Sequence, residues 1–158
     1  MTCTAFAQTA LDEVDYFNRA KQCELREQLD SSLHFYNKAL ELKGDFMEVY
    51  YNRALLLKKM NIPKEAIKDY QEVLKLDPTH PRAYGSMAAL KIQLKDFDGA
   101  LGDLDQQIKI SPKDAVALTN RGICLLMMGK RRNACADWRR AEKLGSRQAE
   151  SMIYKYCD

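Results

Sequence analysis

Cysteine and histidine are the residues of this chain best able to bind a metal or form a covalent bond. The cysteines are Cys3, Cys23, Cys124, Cys135 and Cys157, and the histidines are His34 and His80. No two cysteines form a C-x-x-C pair and neither histidine lies near one in sequence, so a zinc site is not expected. The sequence also lacks the G-x-S-x-G, H-E-x-x-H and glycine-rich phosphate-binding motifs. We therefore predict no metal, no cofactor and no catalytic residue.

Asparagine, arginine and a small residue recur together at a fixed interval. The stretches are YFNRA at 16–20, YYNRA at 50–54 and LTNRG at 118–122, with offsets of 34 and 68 residues. An asparagine amide offers a hydrogen-bond donor and an acceptor, so a row of amides can hold the backbone of an extended peptide. The arginine is followed sixteen residues later by aspartate twice, as Arg53 with Asp69 and Arg121 with Asp137. We predict an ion pair within each of these two combinations.

A 34-residue period divides most of the chain into four frames, 13–46, 47–80, 81–114 and 115–148. Positions 8 and 20 of every frame hold a small residue. These residues are Ala20, Ala54, Ala88 and Gly122 at position 8, and Ser32, Ala66, Ala100 and Ala134 at position 20. Because two helices approach closely only where neither carries a bulky side chain, each frame predicts a helical hairpin. The first helices are predicted near 13–26, 47–60, 81–94 and 115–128, and the second near 30–42, 63–76, 97–109 and 131–144.

Several residues predict where these helices begin and how stable they are. Asp30 is predicted to cap a second helix, and Pro63 and Pro81 to lie in the first turn of their helices. Gly99 and Gly102 both fall inside the second helix of the third frame, where each costs about 1 kcal/mol relative to alanine. We therefore expect the third hairpin to be the least stable. Residues 147–157 predict a ninth helix that covers the apolar face left open by the last hairpin.

The period and the agreement of several positions resemble the tetratricopeptide repeat family, over about 135 of the 158 residues. The second frame carries the resemblance best, with YYNRALLLKKMNIPKEAIKDYQEVLKLDP. The resemblance implies an all-α fold, a right-handed superhelix of four helix-turn-helix repeats with a C-terminal capping helix at 147–157. The repeat domain would span residues 13–158 and follow an N-terminal segment of residues 1–12.

The resemblance also implies a binding groove on the concave side of the superhelix, lined by positions 2, 5, 6, 9, 12 and 13 of the first helices. The expected groove residues are Phe17, Asn18, Lys21, Tyr51, Asn52, Leu55, Lys58, Lys59, Arg82, Ser86, Ala89, Asn120, Ile123 and Met127. The implied function is a non-catalytic interaction module that binds a peptide or a helix of a protein partner. Cytosolic co-chaperones of the family clamp a C-terminal carboxylate with charged groove residues, and here only Asn52 matches that set.

A second surface supports an alternative function. Seven basic residues face two acidic residues between positions 130 and 147. Such a surface would suit a structural subunit that docks into a bacterial envelope complex through an acidic partner or anionic lipid. We expect no nucleic-acid partner and no transmembrane segment, because no stretch of 18 apolar residues exists. Open-ended repeat stacks can also form homo-oligomers through their terminal helices.

The two ends of the chain bear on its location. Ala5-Phe6-Ala7 before Gln8 matches the small-x-small rule for signal-peptide cleavage, although the apolar region that should precede it is missing. The stretch ACADWRRAEKLGSRQAESMIYKYC resembles the closing segment of exported bacterial tetratricopeptide proteins, which have cysteine at both matching positions. Helices that turn at Gly145 would also bring Cys135 level with Cys157, so a disulfide is reachable. Two unrelated buried thiols are the alternative. We expect a periplasmic or envelope-associated protein, with a cytoplasmic location as the alternative.

Overall fold

The computed structural model describes residues 11–157. Within this range the chain forms nine α-helices and no β-strand. The helices are α1 (Glu13–Leu25), α2 (Leu29–Leu42), α3 (Met47–Lys59), α4 (Pro63–Leu76), α5 (Ala83–Gln93), α6 (Phe97–Ile110), α7 (Ala115–Met127), α8 (Arg131–Lys143) and α9 (Arg147–Tyr156). The predicted all-α class is confirmed.

Consecutive helices pair as four hairpins, which we number repeats 1 to 4, and α9 packs against α8. The small residues of each predicted crossing are buried, and Ala54 and Ala66 of repeat 2 are both 0% exposed within one core cluster. Bulky side chains at position 24 lie beside the crossings and are also fully buried. These are Tyr36, Tyr70, Leu104 and Trp138. The core is therefore a row of close helix contacts, each flanked by one large side chain.

Two of the predicted helix starts are wrong. The helix α2 begins at Leu29 after Gln28, so Asp30 lies inside the first turn and does not cap it. The chain turns at Glu27, whose φ is 57°, and it enters the helix before Asp30 is reached. Pro81 lies outside α5, which begins at Ala83, because its carbonyl accepts a hydrogen bond from Gln107 Nε2 at 2.8 Å and is held in the preceding turn. Pro63 is the first residue of α4, as predicted.

Both predicted ion pairs are present. Arg53 donates from Nε and Nη2 to the two carboxylate oxygens of Asp69, at 2.8 and 2.6 Å. Arg121 makes the same bidentate contact with Asp137, at 2.6 and 2.7 Å. Each arginine also contacts the second helix of the preceding repeat. The Nη1 atoms of Arg53 and Arg121 donate to Asn37 at 2.7 Å and to Asp105 at 2.8 Å. One arginine therefore joins two helices of its own repeat and a third helix of the repeat before it.

Repeat 3 lacks this arginine and contains a different ion pair. Met87 occupies the arginine position, and Lys91, one helical turn later, lies with its Nζ 2.7 Å from Asp103 Oδ2. Lys91 therefore stands at a position that is usually apolar because it supplies the cation that Met87 cannot. Burial raises the pKa of Asp103, and Lys91 opposes that effect. Gly99 and Gly102 lie within α6, as predicted.

The helix α9 covers the open face of repeat 4. Ala149 is fully buried, and Met152, Ile153 and Tyr156 pack on the cluster around Trp138. Cys135 and Cys157 form a disulfide between α8 and the end of α9, with their Cα atoms 5.7 Å apart. None of the described helices has the length and apolar character needed to span a membrane.

Candidate functional site

The first helices α1, α3, α5 and α7 carry or adjoin the residues predicted to line a concave surface, and we call the surface that these residues form the groove. Direct contacts join neighbouring helices along it. Lys21 Nζ of α1 donates to Asn52 Oδ1 of α3 at 3.1 Å, and the Arg82 guanidinium lies 5.6 Å from the centre of the Tyr51 ring. These contacts connect predicted groove residues of repeat 1 with repeat 2, and of repeat 2 with repeat 3.

The predicted groove residues differ in how far they reach into solvent. Exposed members are Asn18, Leu55, Lys58, Lys59, Arg82 and Met127. Half-buried members are Phe17, Lys21, Tyr51, Asn52, Ser86, Ala89, Asn120 and Ile123. Phe17 packs on Tyr36 and Phe46, with ring centres 6.0 and 5.5 Å apart. Phe17 and Ile123 therefore belong partly to the core and present only one side to a ligand.

The three asparagines form no hydrogen bond with one another among the described residues. The Asn52 amide already has internal partners, because its Oδ1 accepts from Lys21 and its Nδ2 donates to the Glu48 carbonyl at 2.7 Å. An amide has two N–H groups and two acceptor sites, so one of each remains available on Asn52. Asn52 is therefore a fixed hydrogen-bonding group, held by two protein contacts in a single orientation.

The middle of the groove contains an aromatic and cationic cluster around Tyr51. The Tyr51 ring meets Tyr70 edge-on at 5.8 Å and His80 at 4.8 Å, with Arg82 over its face. Burial lowers the pKa of His80, Asp77 opposes this effect, and Arg82 adds to it. Burial also raises the pKa of Tyr70 to about 12. At neutral pH the cluster therefore presents a neutral His80 imidazole and a neutral Tyr70 phenol beside the Arg82 guanidinium.

Several inner-surface residues were not predicted from the sequence. Val14 and Val116 are 47% and 68% exposed, at the position of their repeats that Arg82 occupies in repeat 3. His80 is the last residue of its frame and contacts Tyr51 only because the chain turns before α5. The shared position could have identified the two valines. Nothing in the local sequence indicates that His80 faces the groove.

The described residues offer no group of three or more His, Cys, Asp or Glu side chains that could hold a metal ion. Of the two free cysteines in the described part of the chain, Cys124 is fully buried, and burial raises the pKa of its thiol to about 11. A thiol with so high a pKa is a poor nucleophile at neutral pH. The groove itself offers apolar, amide and cationic groups for contact with a ligand.

The sequence profile described as Tetratricopeptide repeat matches residues 48–80, which cover repeat 2. The chain belongs to the tetratricopeptide repeat family. It is 30% identical over 117 residues to protein O-mannosyl-transferase TMTC3 of Homo sapiens. The aligned region covers 73% of this chain and 13% of that protein. The chain spans 13% to 27% of the length of four curated relatives that it matches.

Solved structures show the same tetratricopeptide fold. The crystal structure of the MamA protein superposes with a TM-score of 0.80 at 17% identity, over 84% of this chain and 72% of that one. The first tetratricopeptide domain of Spaghetti (RPAP3), solved bound to the HSP90 peptide SRMEEVD, has a TM-score of 0.67 at 22% identity. That match covers 70% of this chain and 90% of the domain. At these identities the likeness concerns the fold.

Proposed function

We propose that this protein-interaction module has no catalytic activity of its own and binds an extended segment of a protein partner along its groove. The segment would contribute apolar side chains and at least one acidic residue. A solved relative of the same fold holds a peptide, which supports the general mode of binding. The observation that carries the proposal is the pattern of the inner surface, where exposed apolar side chains flank the Tyr51 cluster.

The apolar part of this pattern lies at both ends of the groove and, at Leu55, one helical turn from Tyr51. Val14, Leu55, Val116 and Met127 are 47%, 39%, 68% and 59% exposed. Apolar side chains that line up on one face of successive elements commonly mark an interaction surface. They would bury against apolar side chains of the bound segment, and Asn52 would pair with the segment's backbone.

The charged part of the pattern favours an acidic residue near the middle. Lys21 lies 3.8 Å from Glu24 and Lys59 lies 3.9 Å from Glu27, so both cations already have carboxylate neighbours. Lys58 and Arg82 have no ion-pair partner among the described residues, while Glu48 is the remaining exposed acid of the inner surface. Arg82 also lies against an aromatic ring, where a guanidinium can contact a carboxylate and the ring together.

Selection from a displayed library of unstructured peptides, followed by calorimetry on the selected peptide, tests the proposal. Exposed residues are the ones to change, because substituting Tyr51 would also remove its contact with Tyr70. We expect Arg82→Glu and Met127→Ser each to weaken binding about tenfold. Lys64→Glu, on the outer side of α4, serves as the control and should bind normally. Unchanged affinity in both groove variants would show that the peptide binds elsewhere.

We also propose that the chain works in an oxidising compartment, such as the bacterial envelope. The paired positions of Cys135 and Cys157 support this proposal, because structural disulfides persist mainly outside reducing cytosol. Fractionation of cells that produce the chain at its native level, with thiol labelling before lysis, tests it. A fully reduced pair in a cytosolic fraction would contradict it.

A further inference from the structure

The outer surface contains two equivalent clefts that the groove does not explain. One, of about 510 Å³, opens between α6 and α8 above α7. The other, of about 460 Å³, opens between α2 and α4 above α3. Their linings correspond at an offset of 68 residues. Leu101, Asp105, Arg121, Leu125 and Asp137 of the first match Leu33, Asn37, Arg53, Leu57 and Asp69 of the second. We call them the α6–α8 cleft and the α2–α4 cleft.

The two clefts share an apolar floor and a neutralised centre. Leu101 and Leu125 line the α6–α8 cleft, and Leu33 and Leu57 line the α2–α4 cleft. The central arginine in each is satisfied by the carboxylate at its own repeat's position 23. Each cleft is therefore a recess that can hold an apolar side chain. Any preference of a ligand for one cleft over the other must come from the residues at the rim.

The rims carry different charges. Arg132, Arg139 and Lys143 lie on one stripe of α8, at spacings of seven and four residues, which extends about 16 Å along the helix. All three are exposed and have no ion-pair partner among the described residues. The two acids that line the cleft, Asp137 and Asp105, both contact Arg121. Arg132 lines the α6–α8 cleft, and Arg139 and Lys143 continue the stripe along α8 beyond the cleft's lining.

The rim of the α2–α4 cleft is close to neutral. The residues equivalent to the stripe are Lys64, Gln71 and Lys75, and Lys75 is paired with Glu72 at 2.6 Å. Glu65 and Glu72 line that cleft where Asn133 and Arg140 stand in repeat 4. The two recesses are lined by residues at equivalent positions. Because their rims differ in charge, a negatively charged ligand would bind the α6–α8 cleft in preference to the α2–α4 cleft.

We propose that the α6–α8 cleft binds an acidic segment of a partner protein, whose apolar side chain enters the recess while its carboxylates pair with Arg132, Arg139 and Lys143. Arginine forms bidentate contacts with carboxylates. Because the three cations lie in a line along α8, they can pair with successive carboxylates of one extended segment. The apolar surface here is recessed rather than protruding, which suits an inserted side chain and does not suit insertion into lipid. None of the residues that line this cleft is a predicted groove residue, so the two sites can act independently.

Fluorescence anisotropy with two labelled peptides tests the inference on the full, oxidised chain. One peptide has leucine between two runs of four glutamates, and the other has alanine in place of leucine. We expect the leucine peptide to bind about tenfold more tightly, since a leucine side chain buries more apolar area than alanine. Both affinities should fall as salt rises from about 50 mM to about 500 mM, because the cations are exposed.

Matched variants locate the site. Arg132→Glu with Arg139→Glu should weaken the leucine peptide at least about tenfold, whereas Lys64→Glu with Gln71→Glu, the equivalent changes on α4, should not. Ala136→Trp should fill the recess and remove the advantage of leucine over alanine. Arg82→Glu, in the groove, should leave this binding unchanged. Unchanged melting temperatures confirm that the variants fold.

Three results would overturn the inference. The first is equal affinity of the two peptides for the native chain, which would mean that the recess takes no part. The second is an equal loss in the α4 and α8 double variants. The third is Arg139-dependent binding to vesicles of about one-third phosphatidylserine without binding to the leucine peptide, which would identify the stripe as a lipid-binding surface.

Discussion

The Arg53 guanidinium contacts both carboxylate oxygens of Asp69, and its third nitrogen reaches Asn37 of the preceding repeat. The Asp69 side chain is only 5% exposed. Arg53→Ala would leave this carboxylate buried without a counter-charge, so we expect a loss of about 3 kcal/mol in the free energy of unfolding. Urea denaturation followed by circular dichroism measures it.

Repeat 1 supplies the control for this prediction. Arg19 occupies the same position as Arg53, but the residue at the aspartate position is Phe35, and Arg19 is exposed. Arg19→Ala should change the free energy of unfolding by no more than about 0.5 kcal/mol. Equal losses in the two variants would show that the buried carboxylate does not cause the effect.

Gly102 and Gly99 provide a second test, because both lie in α6 but have different surroundings. A Cβ atom at Gly102 would have no atom within 4 Å, so Gly102→Ala should stabilise the protein by about 1 kcal/mol. A Cβ at Gly99 would lie 2.3 Å from Asp96 Oδ2, and the carboxylate that caps α6 would have to move. Losing a cap costs about 1 kcal/mol, so Gly99→Ala should give no net gain. A gain of similar size in both variants would contradict the role of Asp96.

Periodicity predicted the repeats, the crossings and both arginine–aspartate ion pairs, because each depends on residue types at fixed offsets. Lys91 shows where this reasoning fails. Lys91 stands at a position that is usually apolar, and its role as a partner for Asp103 depends on the absence of arginine at Met87. The outer clefts were missed for a similar reason, since a recess depends on which side chains fill the space between helices. The Tyr51–His80 contact depends on the path of a turn, which the pattern does not specify.

His80 should make the free energy of unfolding of the protein depend on pH. Burial lowers the pKa of His80 in the folded chain below its unfolded value near 6.5, so the unfolded state binds the proton more readily. The stability that His80 contributes is therefore present above that value and is lost as the pH falls through the folded pKa. We expect the wild-type free energy of unfolding to fall more between pH 7 and pH 5 than that of His80→Gln. Identical slopes for the two proteins would contradict the assignment.

The disulfide between Cys135 and Cys157 should hold α9 on the last repeat. The cysteines are 22 residues apart, and closing a loop of this length contributes about 3 kcal/mol in the chain-entropy model. Cys157→Ser should lose about that amount, and a reductant should lower the melting temperature of the wild type but not of this variant. Peptide mapping by mass spectrometry without reduction should recover the two cysteines on one linked peptide. A free Cys157 thiol in oxidised protein would mean that packing alone holds α9.

Gly122 and Trp138 of repeat 4 form a pair in which the smallest residue faces the largest side chain. The equivalent pairs are Ala54 with Tyr70 in repeat 2 and Ala88 with Leu104 in repeat 3. A Cβ at Gly122 would lie 2.3 Å from Trp138 Nε1, which donates a hydrogen bond to the Thr119 carbonyl at 3.1 Å. Gly122→Ala should therefore cost about 2 kcal/mol by overpacking a rigid ring. Adding Trp138→Tyr recreates the pairing of repeat 2, so the double variant should lose less than the sum of the single losses.

The two single variants and the double variant should keep the same helices and the same repeat boundaries. Differences in their stability therefore report how well residues 122 and 138 match in size, and not a change of fold. Denaturation of the four proteins in a double-mutant cycle measures the coupling, which we expect to be at least about 1 kcal/mol in favour of the matched pair. The Ala54→Gly change in repeat 2 is the reciprocal control, since it should leave space beside Tyr70 and destabilise the chain. Strictly additive losses would show that Gly122 is small for a reason other than the neighbouring tryptophan.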